Sequence, residues 1–238
     1  MATGMTGRFV IMKITILNGT TGNPLQTIGE RAGICWGGDV SNKEKNIRRA
    51  IDCIRSGHGR VLEYVAIEFV VEDISARAAR EIYTHIAGGP ARLQESTRYV
   101  DCENFRAYLP SSIAKDAEGS QVYLDCMQNI RETYKNLISL GFPKEDIANI
   151  LPLGMNTKVV MKANLRMIEN LMNQRLCKRA YKEMRSFASL LADRLAEIDD
   201  EWSQIAKNLF VPKCKKIGYC TEIKCCGLSK KKEVIWNV

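Results

Sequence analysis

The chain has 238 residues, 45% hydrophobic and 26% charged, a balance that excludes a disordered or fibrous protein and allows one or two globular domains. A net charge of +8 and a pI near 9.0 favour an anionic partner, whether nucleic acid, a nucleotide phosphate or nothing specific. No apolar run approaches the roughly 20 residues that a membrane helix needs, and the first eight residues lack the apolar stretch of a signal peptide, so a cytoplasmic protein without a membrane is expected.

Residues 8–17 (RFVIMKITIL) combine β-branched side chains with partial alternation before GTTGNP breaks the run, which predicts an opening strand and then a short helix. Ser41 and Asn42 can accept the unpaired amides of a first helical turn, so a helix runs from there to Arg55 and ends at Gly57 and Gly59. Residues 60–72 (RVLEYVAIEFVVE) alternate apolar and polar positions in their middle, the pattern of a strand with one buried face. Asp73 or Ser75 opens a helix to about His85, stopped by Gly88-Gly89-Pro90, where proline cannot continue a helix. Helical spacing returns over 117–140 and 145–149. Residues 153–163 (LGMNTKVVMKA) read as a strand, followed by helices over 164–175 and 178–209. The expected division is a domain over 1–212 and a Lys/Cys-rich tail over 213–238.

Two clusters carry candidate chemistry. Arg92-Leu93-Gln94-Glu95-Ser96-Thr97-Arg98-Tyr99 follows the glycine turn. A serine hydroxyl beside an arginine fork suits a phosphate, because the guanidinium gives paired charged hydrogen bonds and the hydroxyl adds another; a solvated polar loop fits the spacing too. The second cluster is Asn164, Arg166, Asn170, Gln174 and Arg175, then Arg179, Glu183 and Arg185. Arg166, Asn170 and Gln174 recur at four-residue intervals, so they share a helical face and can address one pocket; an ordinary polar face fits as well.

The nine cysteines read as reduced thiols, metal ligands or core filler rather than disulfides. Cys214, Cys220, Cys225 and Cys226 could offer four thiolates to a structural zinc, or be ordinary thiols; their spacing contains no Cys-x-x-Cys pair, and no metal ligand is assigned.

Gln94-Glu95-Ser96-Thr97-Arg98-Tyr99 resembles the end of the signature of the flavin-dependent thymidylate synthases, an Arg-His-Arg triplet followed at a short interval by Ser-x-Arg-Tyr. His58-Gly-Arg-Val-Leu-Glu63 resembles that family's strand lead-in, Leu151-Pro152-Leu153 its mid-chain strand, and Asn164-Leu-Arg166, Arg175 and Glu183-Met-Arg185 its cofactor and nucleotide helix. The likeness runs from about Gly33 to Leu195, with these pieces in the family's order.

The resemblance implies an α/β (α+β) fold, with a central, mainly antiparallel sheet flanked by helices, in a homotetramer whose active sites are shared between subunits. It implies methylation of dUMP to dTMP with methylenetetrahydrofolate as carbon donor, FAD as the flavin and NADPH as reductant. Gln94, Glu95, Ser96 and Arg98 would bind dUMP, with Ser96 and Arg98 on its phosphate. Arg175, the catalytic assignment, would bond the uracil and stabilise negative charge developing on it. His85, Asn164, Arg166 and Asn170 would contact FAD, with Tyr64 stacking nearby. No protein nucleophile is needed, because reduced flavin supplies the reducing equivalents.

The chain also departs from the family pattern. Thr84-His85-Ile86 stands where the family has Arg-His-Arg, and His85 lies two residues farther from Ser96 than usual. The Gly88-Gly89-Pro90 turn would accommodate the insertion, and Arg92 would restore a positive charge near the cofactor phosphates. Tyr64 replaces a frequent histidine, Ala148 a frequent arginine and Glu81 a usual glutamine. The altered triplet motivates one competing function, a related flavin-dependent pyrimidine modification such as hydroxymethylation. A basic nucleic-acid-binding protein using the lysine-rich end is another, which leaves both polar clusters unexplained.

Overall fold

The structure is a computed structural model and describes residues 11–86 and 88–232. The start of the expected first strand, Ala87 in the glycine turn and the end of the tail lie outside the described residues. Strands β1 (Lys13–Ile16), β2 (Ala66–Ser75), β3 (Ala91–Gln94) and β4 (Asn156–Asn164) form an antiparallel sheet in the order β1-β2-β4-β3. The helices are α1 (Pro24–Cys35), α2 (Lys43–Arg55), α3 (Ala76–Tyr83), α4 (Ala117–Ser139), α5 (Lys144–Ile147), α6 (Leu165–Arg175), α7 (Lys182–Ala196), α8 (Asp200–Asn208) and α9 (Lys213–Ile217). The expected mixed fold with an antiparallel sheet is therefore present. Along β4, Thr157, Val159, Met161 and Ala163 are buried while their neighbours are not, the period-two pattern of a strand with one covered face.

The chain divides into two compact units, and β2 and β4 each run through both. One unit comprises Val71–Tyr83 and Leu93–Val160 with Lys13; the other comprises Ile14–Val70, Thr84–Arg92 and the chain from Met161 onward. In the first, α4 buries Met127 and Tyr134 against Cys102, Phe105, Ile147 and Met155. Asp116 caps α4 by accepting from the Gly119 amide at 2.6 Å. The Ser75 hydroxyl caps α3 in the same way, accepting from the Ala78 amide at 3.0 Å.

In the second unit Asn42 caps α2 as the sequence predicts, accepting from the Lys45 amide at 2.9 Å. A Cβ on Gly29 would lie 1.8 Å from the Asn46 carbonyl oxygen, so α1 and α2 cross at a separation only glycine permits. The first turn of α1 has no acidic residue of its own; Asp199 and Glu201 supply carboxylates to its Asn23 and Gln26 amides, each at 2.9 Å. Trp202 is fully buried and donates its indole N–H to the Thr21 carbonyl at 2.8 Å.

Three expectations change. Residues 60–64 are not the start of a strand: Gly59–Tyr64 forms a 3-10 turn, and β2 begins at Ala66 and runs on to Ser75. Leu62 alone anchors that turn in the core while Tyr64 points outward at 59% exposure, so the alternation read there is not a strand register. The helix expected over 178–209 is two, α7 and α8. Asp199 takes an extended conformation and accepts from the Trp202 amide at 2.8 Å, which starts α8 afresh. Finally, β3 forms where a polar loop was read, held by the Glu95 amide donating to the Lys158 carbonyl at 2.9 Å. Because Asp199 serves two helix ends, Asp199→Ala is expected to destabilise the protein by about 1–2 kcal/mol, read as a lower thermal midpoint of unfolding.

Candidate functional site

The strand-to-helix junction between β4 and α6 positions the second polar cluster. Asn164 ends the strand in an extended conformation, and its side chain accepts from the Met167 amide at 3.0 Å, opening α6. Leu165, Ile168, Leu171 and Met172 are buried, which fixes the helix rotation and turns Arg166, Asn170 and Gln174 outward together. A cavity of about 410 Å³ lies against this face, lined by Asn164, Arg166, Glu169, Asn170 and Asn173 with Glu63, Gly88 and Lys216. Arg166 Nη1 meets Glu63 Oε1 at 2.5 Å. Gly88 has φ +87°, and a Cβ there would come within 2.7 Å of Asn164 Nδ2, so the turn after His85 passes close over the cap residue. The amide oxygen of Asn173 is buried without a hydrogen-bond partner.

Two more cavities share Asn170. One of about 190 Å³ is lined by Thr84, His85, Ile86 and Gln174. Another of about 700 Å³ is lined by Asn173, Gln174, Arg175 and Arg179 and by residues of the C-terminal segment, among them Lys213, Lys216 and Cys220. Arg175, the last residue of α6, donates its Nε–H to His85 Nε2 at 3.1 Å. His85 is 7% exposed; burial first, and the Arg175 guanidinium second, push its pKa down from 6.5 to about 4. The imidazole is therefore neutral near pH 7, with Nε2 as acceptor and its proton on Nδ1.

The residues of the first cluster from Leu93 onward lie in the other unit. Gln94 Nε2 donates to Thr157 Oγ1 at 3.3 Å, and Ser96 Oγ accepts from the Arg98 amide at 3.3 Å in a tight turn. Glu95, Ser96 and Thr97 line a cavity of about 250 Å³ together with Glu72, Asp73, Asp101, Arg106 and Lys158. Lys158 pairs with Glu72 at 2.8 Å, and Arg106 pairs with Asp73, a non-glycine residue at φ +60°. Arg98 is not among the lining residues; its guanidinium pairs with Glu145 at 3.0 Å and lies over the Tyr99 ring. Ser96 and Arg98 thus adjoin in the backbone, while their side chains address different neighbours.

A family model described as thymidylate synthase complementing protein matches residues 16–199, which takes in His85, the 94–99 turn and all of α6. The chain belongs to the thymidylate synthase complementing protein family. It is similar to the flavin-dependent thymidylate synthase of Pyrococcus furiosus, 29% identical over 228 residues, covering 89% of this chain and 90% of that one. The corresponding protein of Geobacter sulfurreducens is 30% identical over 186 residues, covering 74% and 79%. That of Clostridium tetani is 26% identical over 246 residues, covering 92% and 94%.

In this member of the family, His85, Asn164, Arg166, Asn170 and Arg175 all line cavities of one unit or bond to a residue that does. Arg92 lies half-buried on β3 and Tyr64 is exposed at the end of the 3-10 turn; neither lines those cavities. Ala148 lies in a 3-10 turn after α5, and Glu81 on α3. Sequence reasoning missed Asn173, Glu63 and Lys216 as cavity residues. Asn173 follows Asn170 by three positions and so was accessible to the same periodicity, whereas nothing local marks Lys216. Among the described residues no group of three His, Cys, Asp or Glu side chains is placed to hold a metal ion.

Proposed function

We propose that the chain is a flavin-dependent thymidylate synthase, converting dUMP to dTMP with methylenetetrahydrofolate as carbon donor, FAD as flavin and NADPH as reductant. The assembly in this reading is a cytoplasmic homotetramer with active sites shared between subunits. The observation that carries it is the neutral His85 accepting from Arg175, beside an amide- and guanidinium-lined face of α6, in a chain of this family.

The residues fit a flavin dinucleotide. Asn164, Arg166 and Asn170 provide donors for phosphate and ribose oxygens, Asn173 offers a buried acceptor with no partner, and Gly88 puts no side chain against Asn164. When bound, the flavin supplies the reducing equivalents and the protein supplies position and electrostatics. His85 completes the set from its own cavity, Tyr64 offers an exposed ring for stacking, and Arg92 adds a positive charge on the same unit.

Arg175 acts on the nucleotide in this reading. His85 takes its Nε–H and so fixes the guanidinium plane, and in this reading the guanidinium stabilises charge that develops on the uracil oxygen. Gln94, Glu95, Ser96 and Arg98 bind the rest of dUMP, with its phosphate on Ser96 and Arg98. For this Arg98 must leave Glu145; both side chains are more than half exposed, so their pair is worth only about 0–1 kcal/mol and exchanges readily for a dianionic phosphate. Sharing of sites between subunits lets the Ser96–Arg98 turn and Arg175 come from different chains.

Product analysis with each reactant omitted in turn tests the reading. Formation of dTMP that requires FAD, NADPH, methylenetetrahydrofolate and dUMP together is expected. Flavin binding without dTMP would count against methylation while leaving the flavin cavity standing.

A further inference from the structure

The cavity beside α6 has one wall that lies beyond the family match. The chain passes Pro212, forms α9 and brings the Lys216 ammonium into contact with the Glu169 carboxylate of α6. Glu169 is 7% exposed, and a carboxylate so buried is retained because a cation meets it. The contact fixes a side chain that would otherwise sample many rotamers. It fixes it at a particular place, since Lys216, like Asn170 and Asn173, lines both the cavity beside Asn164 and Arg166 and the larger one beside Arg175.

We propose that Lys216 binds a phosphate group of the ligand held in these cavities, so that the C-terminal segment completes the site. The proposal rests on the flavin- and nucleotide-binding reading above. Arg166 and Lys216 are the two cations lining the smaller cavity, and Thr84 and Ile86 beside His85 carry no charge. Each cation already faces one carboxylate, Glu63 or Glu169. An ammonium has three N–H donors and a guanidinium five, so one carboxylate does not exhaust either. A phosphate oxygen arriving between them replaces water as the remaining partner. The Asn173 amide oxygen, in a residue 9% exposed and without a partner, lies in the same wall and calls for a donor, which the hydroxyl or amino group of a nucleotide provides.

Three ligands of the proposed reaction carry phosphate, FAD, dUMP and NADPH, and because these cavities are read as the flavin and nucleotide-substrate sites, the FAD diphosphate and the dUMP monophosphate are the candidates. Binding of FAD, riboflavin and dUMP to the wild-type chain and to Lys216→Ala, Lys216→Arg and Glu169→Gln, measured by flavin fluorescence and calorimetry, separates them. Lys216→Ala is expected to weaken either FAD or dUMP by about tenfold to a hundredfold, the loss of a hydrogen bond to a charged group, and to leave riboflavin unchanged. The ligand that weakens identifies the phosphate. Lys216→Arg is expected to keep most of the affinity, and Glu169→Gln to strengthen the same ligand several-fold, because it removes the competing carboxylate.

A lysine that merely latches the tail would behave differently. Breaking the ion pair from either side would then weaken all ligands alike, riboflavin included. Equal losses in Lys216→Ala and Glu169→Gln, or no loss in Lys216→Ala, would overturn the proposal. Failure of the wild-type chain to bind either FAD or dUMP would instead overturn the functional reading, and this proposal with it.

Discussion

Replacing Arg175 by alanine is expected to lower the rate of dTMP formation by about a hundredfold to a thousandfold, the effect typical of removing one preorganised donor from developing negative charge. The residue ends α6, where a cation also interacts favourably with the carbonyl end of the helix, and its Nε–H is committed to His85 at 3.1 Å. The His85 bond thus fixes the guanidinium plane before any nucleotide arrives. Arg175→Lys should recover little, because a single ammonium cannot hold the His85 bond and present a planar pair of donors at once. The flavin content of both variants should stay near the wild-type level, since Asn164, Arg166 and Asn170 are untouched. A loss confined to turnover, with flavin retained, would place Arg175 at the reacting base. An alanine variant within tenfold of the wild-type rate would remove it from the chemistry.

Much of the frame of this site is legible in the sequence because it is written locally. Asn164, at the boundary between an alternating run and a helical one, is the last residue of β4 and caps α6 with its side chain. The four-residue recurrence of Arg166, Asn170 and Gln174 survives because Leu165, Ile168, Leu171 and Met172 occupy the opposite face. Ser75 and Asp116 cap their helices through contacts three residues away, which a linear reading can find.

What escapes such a reading depends on partners far along the chain. The break between α7 and α8 interrupts no hydrophobic period. Asp199 caps α8 locally through the Trp202 amide, and its place there is reinforced by contacts no linear reading shows, Asp199 accepting from Asn23 and Glu201 from Gln26, amides at the start of α1. The strand β3 is short and exposes Leu93 at 73%, so no alternation announces it; it forms because Glu95 and Gln94 find Lys158 and Thr157 on β4. Lys216 reads as one lysine among several near the C-terminus, and only the position of buried Glu169 distinguishes it. The alternation at 60–64 misleads for the complementary reason: the pattern is present, but only Leu62 has a core to enter.

The stability of the fold should depend on pH through His85. Its pKa lies at about 4 in the folded chain and near 6.5 when exposed, so between those values the unfolded chain holds a proton that the folded chain does not. Stability is then flat above about pH 6.5 and declines as pH falls from there toward 4, by up to about 3 kcal/mol at roughly 1.4 kcal/mol per pH unit. Protonation is disfavoured first because the ring is buried and then because Arg175 stands beside it, and a protonated Nε2 can no longer accept the Arg175 Nε–H. His85→Gln keeps an acceptor for Arg175 but does not titrate. Chemical unfolding of wild type and variant between pH 4 and 7.5 is expected to give a shallower acid decline in the variant, with the two curves converging in shape above pH 6.5. Identical slopes would mean that His85 takes up its proton in the folded chain as readily as in water, and the neutral acceptor that orients Arg175 would lose its basis.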